Sequence, residues 1–485
     1  MRIFQKSLCL ILALLMILSA TACGTTTEET PVGTQAATTD AVTEVDTDFF
    51  PDVEKQNYEG EVFRMVGENH TGSWYYAEEY FNGEGSQQVL NNTIYEMNAL
   101  VEEHLGIEIE YETVVITIGG EIFDTVAPTV LSGDDTYQLC ILHPYYSYSN
   151  FITKNYVMDF YTLPDFDIEQ PYWNKSVMES LSINGHAFIG LGDLCQYSIN
   201  MLYCNKDLMT QSQIEVPYDM VRSGDWTLDA FFGMTSGLYV DDGDGKRNNK
   251  DTYGFASLWD ANGSAFMQCC QIYVASRNEN DQYEISLEGE RLTTMYEKLY
   301  NWSKDESTYL WRFADRTNDA VVVDFMNGHS YFNLSTLGTH YLESEFELGM
   351  LPMPKYDSAQ QNYAHVNWGN NVLLPSTIQN KDMVGQVLEL MGYYSKTMVQ
   401  TKYYDEVLQL RVSEAPDDRD MVELIYNTIV YDPGIAYCDV NPQLWNLVYL
   451  PCFALLENRE NVASYLKTNV RSAQKYLDRL FEKVQ

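Results

Sequence analysis

IEIEYETVVITIGGEIFDTVAPTVLSGDDTYQLCIL, residues 107–142, decides the fold class. Its first ten residues alternate polar and apolar side chains and end in β-branched valine and isoleucine, a strand pattern from Ile107 to Ile116. A helix is predicted from about Gly120 to Leu131, ending near Ser132-Gly133-Asp134-Asp135, and Tyr137 to Leu142 reads as the next strand. Upstream, Leu90, Ile94, Met97, Val101 and Leu105 recur at spacings of three and four, which predicts a helix from Val89 to Leu105. Before it, Glu61 to Val66 reads as a short strand. Strand, helix, strand, helix, strand is the signature of an α/β layer with a largely parallel sheet. Ligands of such sheets bind beyond the carboxyl ends of the strands. Two aromatic, polar loops qualify: the one after Val66, with Trp74, and the one after Leu142, with His143 and Tyr145.

Farther out, composition narrows the function. Some 460 residues follow the N-terminal leader, enough for two or three domains. The formal charge is −41, and removing Arg2 and Lys6 with the leader makes the remainder more acidic still. Such a surface repels phosphate backbones, so nucleic-acid binding is excluded. The sequence has 37 tyrosines and 8 tryptophans, which suit either a packed core or surfaces that stack on ligands. Its nine cysteines include Cys9 and Cys23 near the N-terminus; the other seven, an odd number with no C-x-x-C pair, indicate neither a zinc site nor a disulfide framework, and most read as buried thiols.

The leader has a charged start, an apolar run from Leu8 to Leu18 and small residues up to Ala22. Those are the parts of a secretory signal, and the run is shorter than the ~20 residues that span a bilayer. Ala20-Thr21-Ala22-Cys23 resembles a bacterial lipobox, with alanine where leucine is usual, which implies a lipid on Cys23. The threonine-rich stretch from Gly24 to about Thr47 has no aromatic residue and no apolar periodicity, so it reads as a disordered tether.

Downstream, Leu181 to Asp193 and Met201-Leu202-Tyr203-Cys204-Asn205-Lys206-Asp207-Leu208 read as strands running into turns. Gly224-Asp225-Trp226-Thr227-Leu228-Asp229 opens a helix with Thr227 as a plausible N-cap. Asp242-Gly243-Asp244-Gly245-Lys246 precedes Tyr253-Gly254, and Leu348-Gly349-Met350-Leu351-Pro352-Met353-Pro354-Lys355 follows later. In this order the segments resemble the extracellular solute-binding proteins of ABC transporters, in the class that includes the maltose-binding protein. The likeness runs from residue 58 to 485. It implies two α/β lobes joined by crossovers: 58–200 with 372–412, and 201–371 with 413–485, after a signal (1–22) and a lipidated linker (23–57). The crossings are expected near Gln196 to Tyr203, Trp368 to Leu374 and Val412, with the helices Lys381 to Tyr394 and Val462 to Val484 on opposite lobes. A permease would be the partner, and the receptor a monomer.

Sugars show apolar C–H faces and a hydroxyl rim, which aromatic rings and amides hold well. Trp259-Asp260-Ala261-Asn262 follows an expected strand from Tyr253 to Leu258, and Trp368-Gly369-Asn370-Asn371 precedes another. With Trp74, His143, Tyr145 and Asp193, these residues are the expected cleft; either tryptophan would serve equally in interlobe packing. The likeness implies a carbohydrate receptor, with an oligosaccharide as the expected cargo; the alternatives are the same receptor role for a peptide or other small solute, and a lipid-anchored surface glycan hydrolase. No H-E-x-x-H, G-x-S-x-G or P-loop pattern points to catalysis. In the acidic loop, setting Gly245 at the sixth place of a calcium-binding loop puts Asp242, Asp244, Lys246, Asn248 and Asp251 at ligand places. Val240 then falls at the first place and offers no side-chain oxygen, so Asp241 would shift into it. A structural Ca²⁺ is therefore expected there.

Overall fold

The computed structural model describes residues 49–70, 81, 88–117, 120–143, 148–195, 197–312, 318–337, 344, 346–402, 416–439 and 441–484. The leader, Cys23, the tether, Trp74, Tyr145 and the crossing expected near Val412 lie outside the described residues, as does the side chain of Asp260. Among the described residues, no helix is long and apolar enough to cross a membrane.

Two separate sheets define two lobes. The first holds β1 (Glu61–His70), β2 (Ile107–Ile116) and β3 (Leu139–Leu142), with a late strand, Asn371–Leu373, on its edge. β1 runs parallel to both β2 and β3, whereas Asn371–Leu373 runs antiparallel to β3, with Asn371 opposite Leu142. The strand Ile107–Ile116 and the helix Gln88–Leu105 fall where the pattern places them: the helix buries one regular stripe, while the strand's inward side shifts from Ile107, Ile109 and Tyr111 to Val114 and Ile116. β1 extends beyond Val66 to His70, so the start of the expected loop is strand, its ladder to β2 running through His70 and Ile116.

The second sheet is mixed. β4 (Asn200–Asn205) lies between β9 (Ser330–Thr336) and β10 (Leu348–Leu351), antiparallel to both. β5 (Tyr253–Leu258) continues it between β9 and β8 (Thr308–Trp311), parallel to each. The numbers β6 and β7 go to a small antiparallel hairpin, Ala275–Arg277 and Tyr283–Ile285. His365–Val366 (β11) pairs parallel with Ile429–Val430 (β13), and Asn371–Leu373 is β12. The stretch Met201–Leu208, read as a strand running into a turn, is strand to Asn205, whose side chain then caps the helix Lys206–Gln211 by accepting the Leu208 N–H.

Chain passes between the sheets as a paired ribbon. Gly190 exchanges two backbone hydrogen bonds with Val372, and farther along Ile199 faces Asn367 while Trp368 N donates to Ser198 O at 2.8 Å. The helix Lys381–Tyr394 packs on Gln88–Leu105 in the first lobe. The last helix, Ala463–Lys483, packs on β7 and on the helix Pro442–Val448, and also touches the first-lobe helix Tyr148–Thr153.

Candidate binding cleft

At the carboxyl edge of the first sheet the strands end in a buried polar layer. Glu68 and Asn69 close β1, His143 follows β3, and Asn370 and Asn371 start the antiparallel edge strand; all five are buried. Glu68 accepts the His143 N–H at 3.2 Å, and burial pushes its carboxyl well above the usual range although that hydrogen bond opposes the shift. Of the expected residues, His143, Asn370 and Asn371 therefore come together here. Glu68 and Asn69 join them; they fall in the stretch after Val66 expected to be a ligand loop, although the sequence singles out neither within it.

Three residues before Asn371, Trp368 sits in the return crossing. Its indole N–H donates to Asn200 Oδ1 at 2.6 Å. Its ring lies nearly parallel to Tyr449, with centroids 6.5 Å apart and 20° between planes. Tyr449 in turn stacks on Trp445 (4.8 Å, 28°). A run of three roughly parallel rings thus starts at the crossing and ends at Trp445, which is only half-buried. Trp445, Tyr449 and Phe453 are spaced by four, one helical stripe. That spacing was the available signal, and it is indistinguishable in sequence from a core face.

Trp259 has a different place. It is fully buried at the start of a short helix after β5, with its N–H on Pro451 O at 3.2 Å and its ring against Phe266 and Trp302. It takes the packing role, as part of the aromatic core of the second lobe. Asn262, on the same helix, is buried beside it in sequence.

Asp193 lies elsewhere again. Tyr197, Ile199 and Asn367 share one face of the crossing ribbon, and Asn200 and Trp368 share the other, because successive side chains alternate. On the Tyr197 face is a cavity of about 490 Å³, lined by Asp193, Tyr197, Lys396, Gln400 and Tyr426 among others. Asp193 accepts from Lys396 Nζ at 2.9 Å; burial raises its pKa, while the lysine charge and the Tyr197 hydroxyl pull the other way. Asp193 is therefore across the ribbon from Trp368, so the two do not share one binding face.

The acidic loop is a closed turn, its base tied by reciprocal hydrogen bonds between Val240 and Thr252. Carboxylate oxygens of Asp241, Asp242 and Asp244 lie within 4.8 Å of one another on the exposed side. Asp251 corrects the expected ligand set. Its carboxylate accepts the N–H groups of Asp242 (3.1 Å) and Asn248 (2.9 Å) and the hydroxyls of Tyr239 and Tyr253. Desolvation alone would raise its pKa, but these donors hold it below the usual value. Asp251 is spent on shaping the loop. Asn248 is also engaged, its amide donating to the carbonyl of Lys246 at 2.8 Å. The three clustered carboxylates would suit a hard cation such as Ca²⁺.

No family model and no curated relative matches the sequence. Solved structures do. An ABC substrate-binding protein from Listeria monocytogenes in complex with cycloalternan aligns with a TM-score of 0.54 at 15% identity, over 84% of this chain and 99% of that one. The GacH receptor of Streptomyces glaucescens, solved unliganded and with acarbose, gives 0.54 at 12% identity, over 88% of this chain and 100% of its own. A cyclo/maltodextrin-binding protein complexed with maltotetraose gives 0.55 at 14%, over 87% and 98%. The fold is that of the two-lobed, maltose-binding-protein-like solute-binding proteins of ABC transporters.

Proposed function

We propose that this chain is the extracellular receptor of an ABC importer, held at the membrane by a lipid on Cys23, and that it captures a carbohydrate between its lobes for a permease. The observation that carries the reading is the ring run Trp368–Tyr449–Trp445 beside the buried amides of Asn200, Asn370 and Asn371. Stacked rings take the apolar face of a pyranose, and planar amides pair with its hydroxyls. Trp368 and Tyr449 are buried against each other, so the half-buried Trp445 is the ring of this run with a face open to a sugar; the oligosaccharide reading is supported by the neighbours described with cycloalternan and maltotetraose. The structural neighbours described with sugars support the class of ligand. In this reading the receptor acts as a monomer, and Ca²⁺ on Asp241, Asp242 and Asp244 clamps the acidic loop without taking part in capture.

Thermal unfolding of the protein against a panel of mono- and oligosaccharides tests the proposal. A sugar at a hundred times its dissociation constant adds about 2.7 kcal/mol to stability, a shift of several degrees. A shift with one oligosaccharide class, with the sugar recovered intact, is the expected result. Breakdown of the sugar would replace the receptor with a hydrolase, and a flat panel would remove carbohydrate as the ligand class.

A further inference from the structure

Gly224–Asp229 and Leu348–Lys355, far apart in sequence, meet in the second lobe. Lys355 pairs its backbone with the first of these stretches: its N–H donates to Trp226 O at 3.0 Å, and its carbonyl accepts the Leu228 N–H at 2.8 Å. The pairing lays the Lys355 side chain beside Gly224, the left-handed C-cap of the helix Tyr218–Ser223. The helix Pro416–Tyr426 forms a third wall, and the walls enclose a cavity of about 720 Å³. It shares no lining residue with the cavity beside Asp193 or with the Trp368 face.

Lys355 is only 4% exposed, yet it lines this cavity. An ammonium has three protons to donate. Among the described residues Lys355 donates one, to Gln360 O at 2.9 Å, and the Tyr363 ring lies near it, its centre 5.5 Å from Nζ. Gln360 is itself tied down, accepting from Arg291 at 2.7 Å and donating to Cys269 O at 2.8 Å. The carboxylates of the same walls are engaged elsewhere. Asp420 pairs with Arg222 at 3.0 Å, and the exposed Asp225 accepts the Ser223 hydroxyl at 2.8 Å. A Cβ at position 224 would come 3.0 Å from Lys355 Nζ, so glycine leaves the ammonium uncovered on that side. Burying a cation with so few partners costs free energy that a bound anion would restore.

We propose that this cavity is a second ligand site, for a singly charged carboxylate that carries hydroxyl groups: a hydroxy acid or a sugar acid. The carboxylate accepts the remaining Lys355 protons in charge-assisted hydrogen bonds, which are the stronger kind. The amide of Gln361 and the hydroxyl of Ser223, both on the exposed rim, suit the ligand's hydroxyls. Single charge follows from the walls. One buried ammonium stands against Asp225 and Asp420, on a chain of net charge −41, so a doubly charged phosphate is repelled more than it is held. The volume falls within the ~300–1,000 Å³ of small-molecule sites. The inference stands apart from the sugar-receptor reading and holds whether or not that reading does.

Titration calorimetry of the full chain with D-gluconate and D-glucuronate tests it, with D-glucitol, the neutral counterpart of gluconate, and inorganic phosphate as controls. The expected result is saturable one-to-one binding of an acid and none of either control. Gluconate as the binder names an open-chain hydroxy acid, and glucuronate a ring-form sugar acid. Lys355→Met, which keeps an unbranched stem but no charge, should weaken that binding more than about tenfold. Ser358→Glu, which adds a negative charge at an exposed wall position, should weaken it several-fold, and Trp445→Ala should leave it unchanged. No saturable binding of either acid overturns the site, as does binding that survives Lys355→Met or that phosphate matches. Binding lost in Trp445→Ala instead overturns it too, by assigning the acid to the sugar face. Should Lys355→Met not fold, Ser358→Glu decides alone.

Discussion

Glu389 is a carboxyl group placed where a charge is costly. It is buried in the helix Lys381–Tyr394 and accepts from Trp173 Nε1 at 2.8 Å, from Asp167 N at 3.2 Å and from the Tyr172 hydroxyl. Burial pushes its pKa up to about 7 even though these donors oppose the shift. A carboxyl with a raised folded pKa binds its proton more tightly in the native state than in the unfolded chain. Its stabilisation is complete below the unfolded value of about 4.5 and is lost as pH rises from there to about 7. The loss amounts to ~3 kcal/mol at most. Glu389→Gln keeps an acceptor and cannot ionise, so denaturant titrations should show a flatter stability profile between those pH values than the parent. A steeper or equal slope would mean that other groups dominate that window. At the binding face, Trp445→Ala should weaken oligosaccharide binding about tenfold by calorimetry, the ~1.4 kcal/mol of one stacked ring. The melting temperature should hardly move, because Trp445 is half-exposed and its backbone stays helical. Trp368→Ala should cost both affinity and stability, since it also removes the donor that Asn200 accepts.

Among the elements, the helix Lys381–Tyr394 shows how packing overrides propensity. Alanine is worth ~1 kcal/mol over glycine inside a helix, yet Gly385 lies directly under the carbonyl of Pro164, with no room for a Cβ. Gly385→Ala should therefore lower the melting temperature; a rise would show that the neighbouring loop yields easily. In the acidic loop, added Ca²⁺ should raise the melting temperature of the parent and leave Asp241→Asn less affected. Legibility in the sequence follows the same division. Lys381–Tyr394, Ile107–Ile116 and Tyr253–Leu258 are read to the residue: the helix is buried without a break from Met383 to Tyr393, the first strand alternates polar and apolar residues through Glu112, and the second is buried throughout. At Asn205 the sequence shows the end of a strand but not the helix Lys206–Gln211 after it, because six residues are too few to show a helical period. Trp259 and Trp368 carry similar local sequence, each a tryptophan among amides at a strand end. Only long-range packing separates them: Phe266 and Trp302 come to one, Tyr449 and Trp445 to the other.

For the whole molecule, the proposed function puts recognition where the lobes meet. Hinge motion about the crossing ribbon would open the Trp368 face and compress the Tyr197 face, because the two lie on opposite sides of the same pair of segments. The cavity beside Asp193 and Lys396 is then a gauge of closure: bulk added there should bias the lobes toward the closed form and tighten sugar binding. Asn427→Phe, at the rim of that cavity, should lower the dissociation constant several-fold in calorimetry, and weaker binding would reverse the assignment of the two faces.

The interleaving of the two sheets also sets a timetable for synthesis. The first sheet has β1, β2 and β3 by Leu142, but its fourth strand is not made until Asn371–Leu373. All five strands of the second sheet are complete by Leu351. A chain that emerges from its N-terminus therefore finishes the later sheet first, while β3 waits with an open edge. At ~5–20 residues per second, that wait is on the order of ten seconds or longer. An open strand edge is a template for pairing with other chains. The nascent protein is thus most exposed to misassembly in the lobe that it began first.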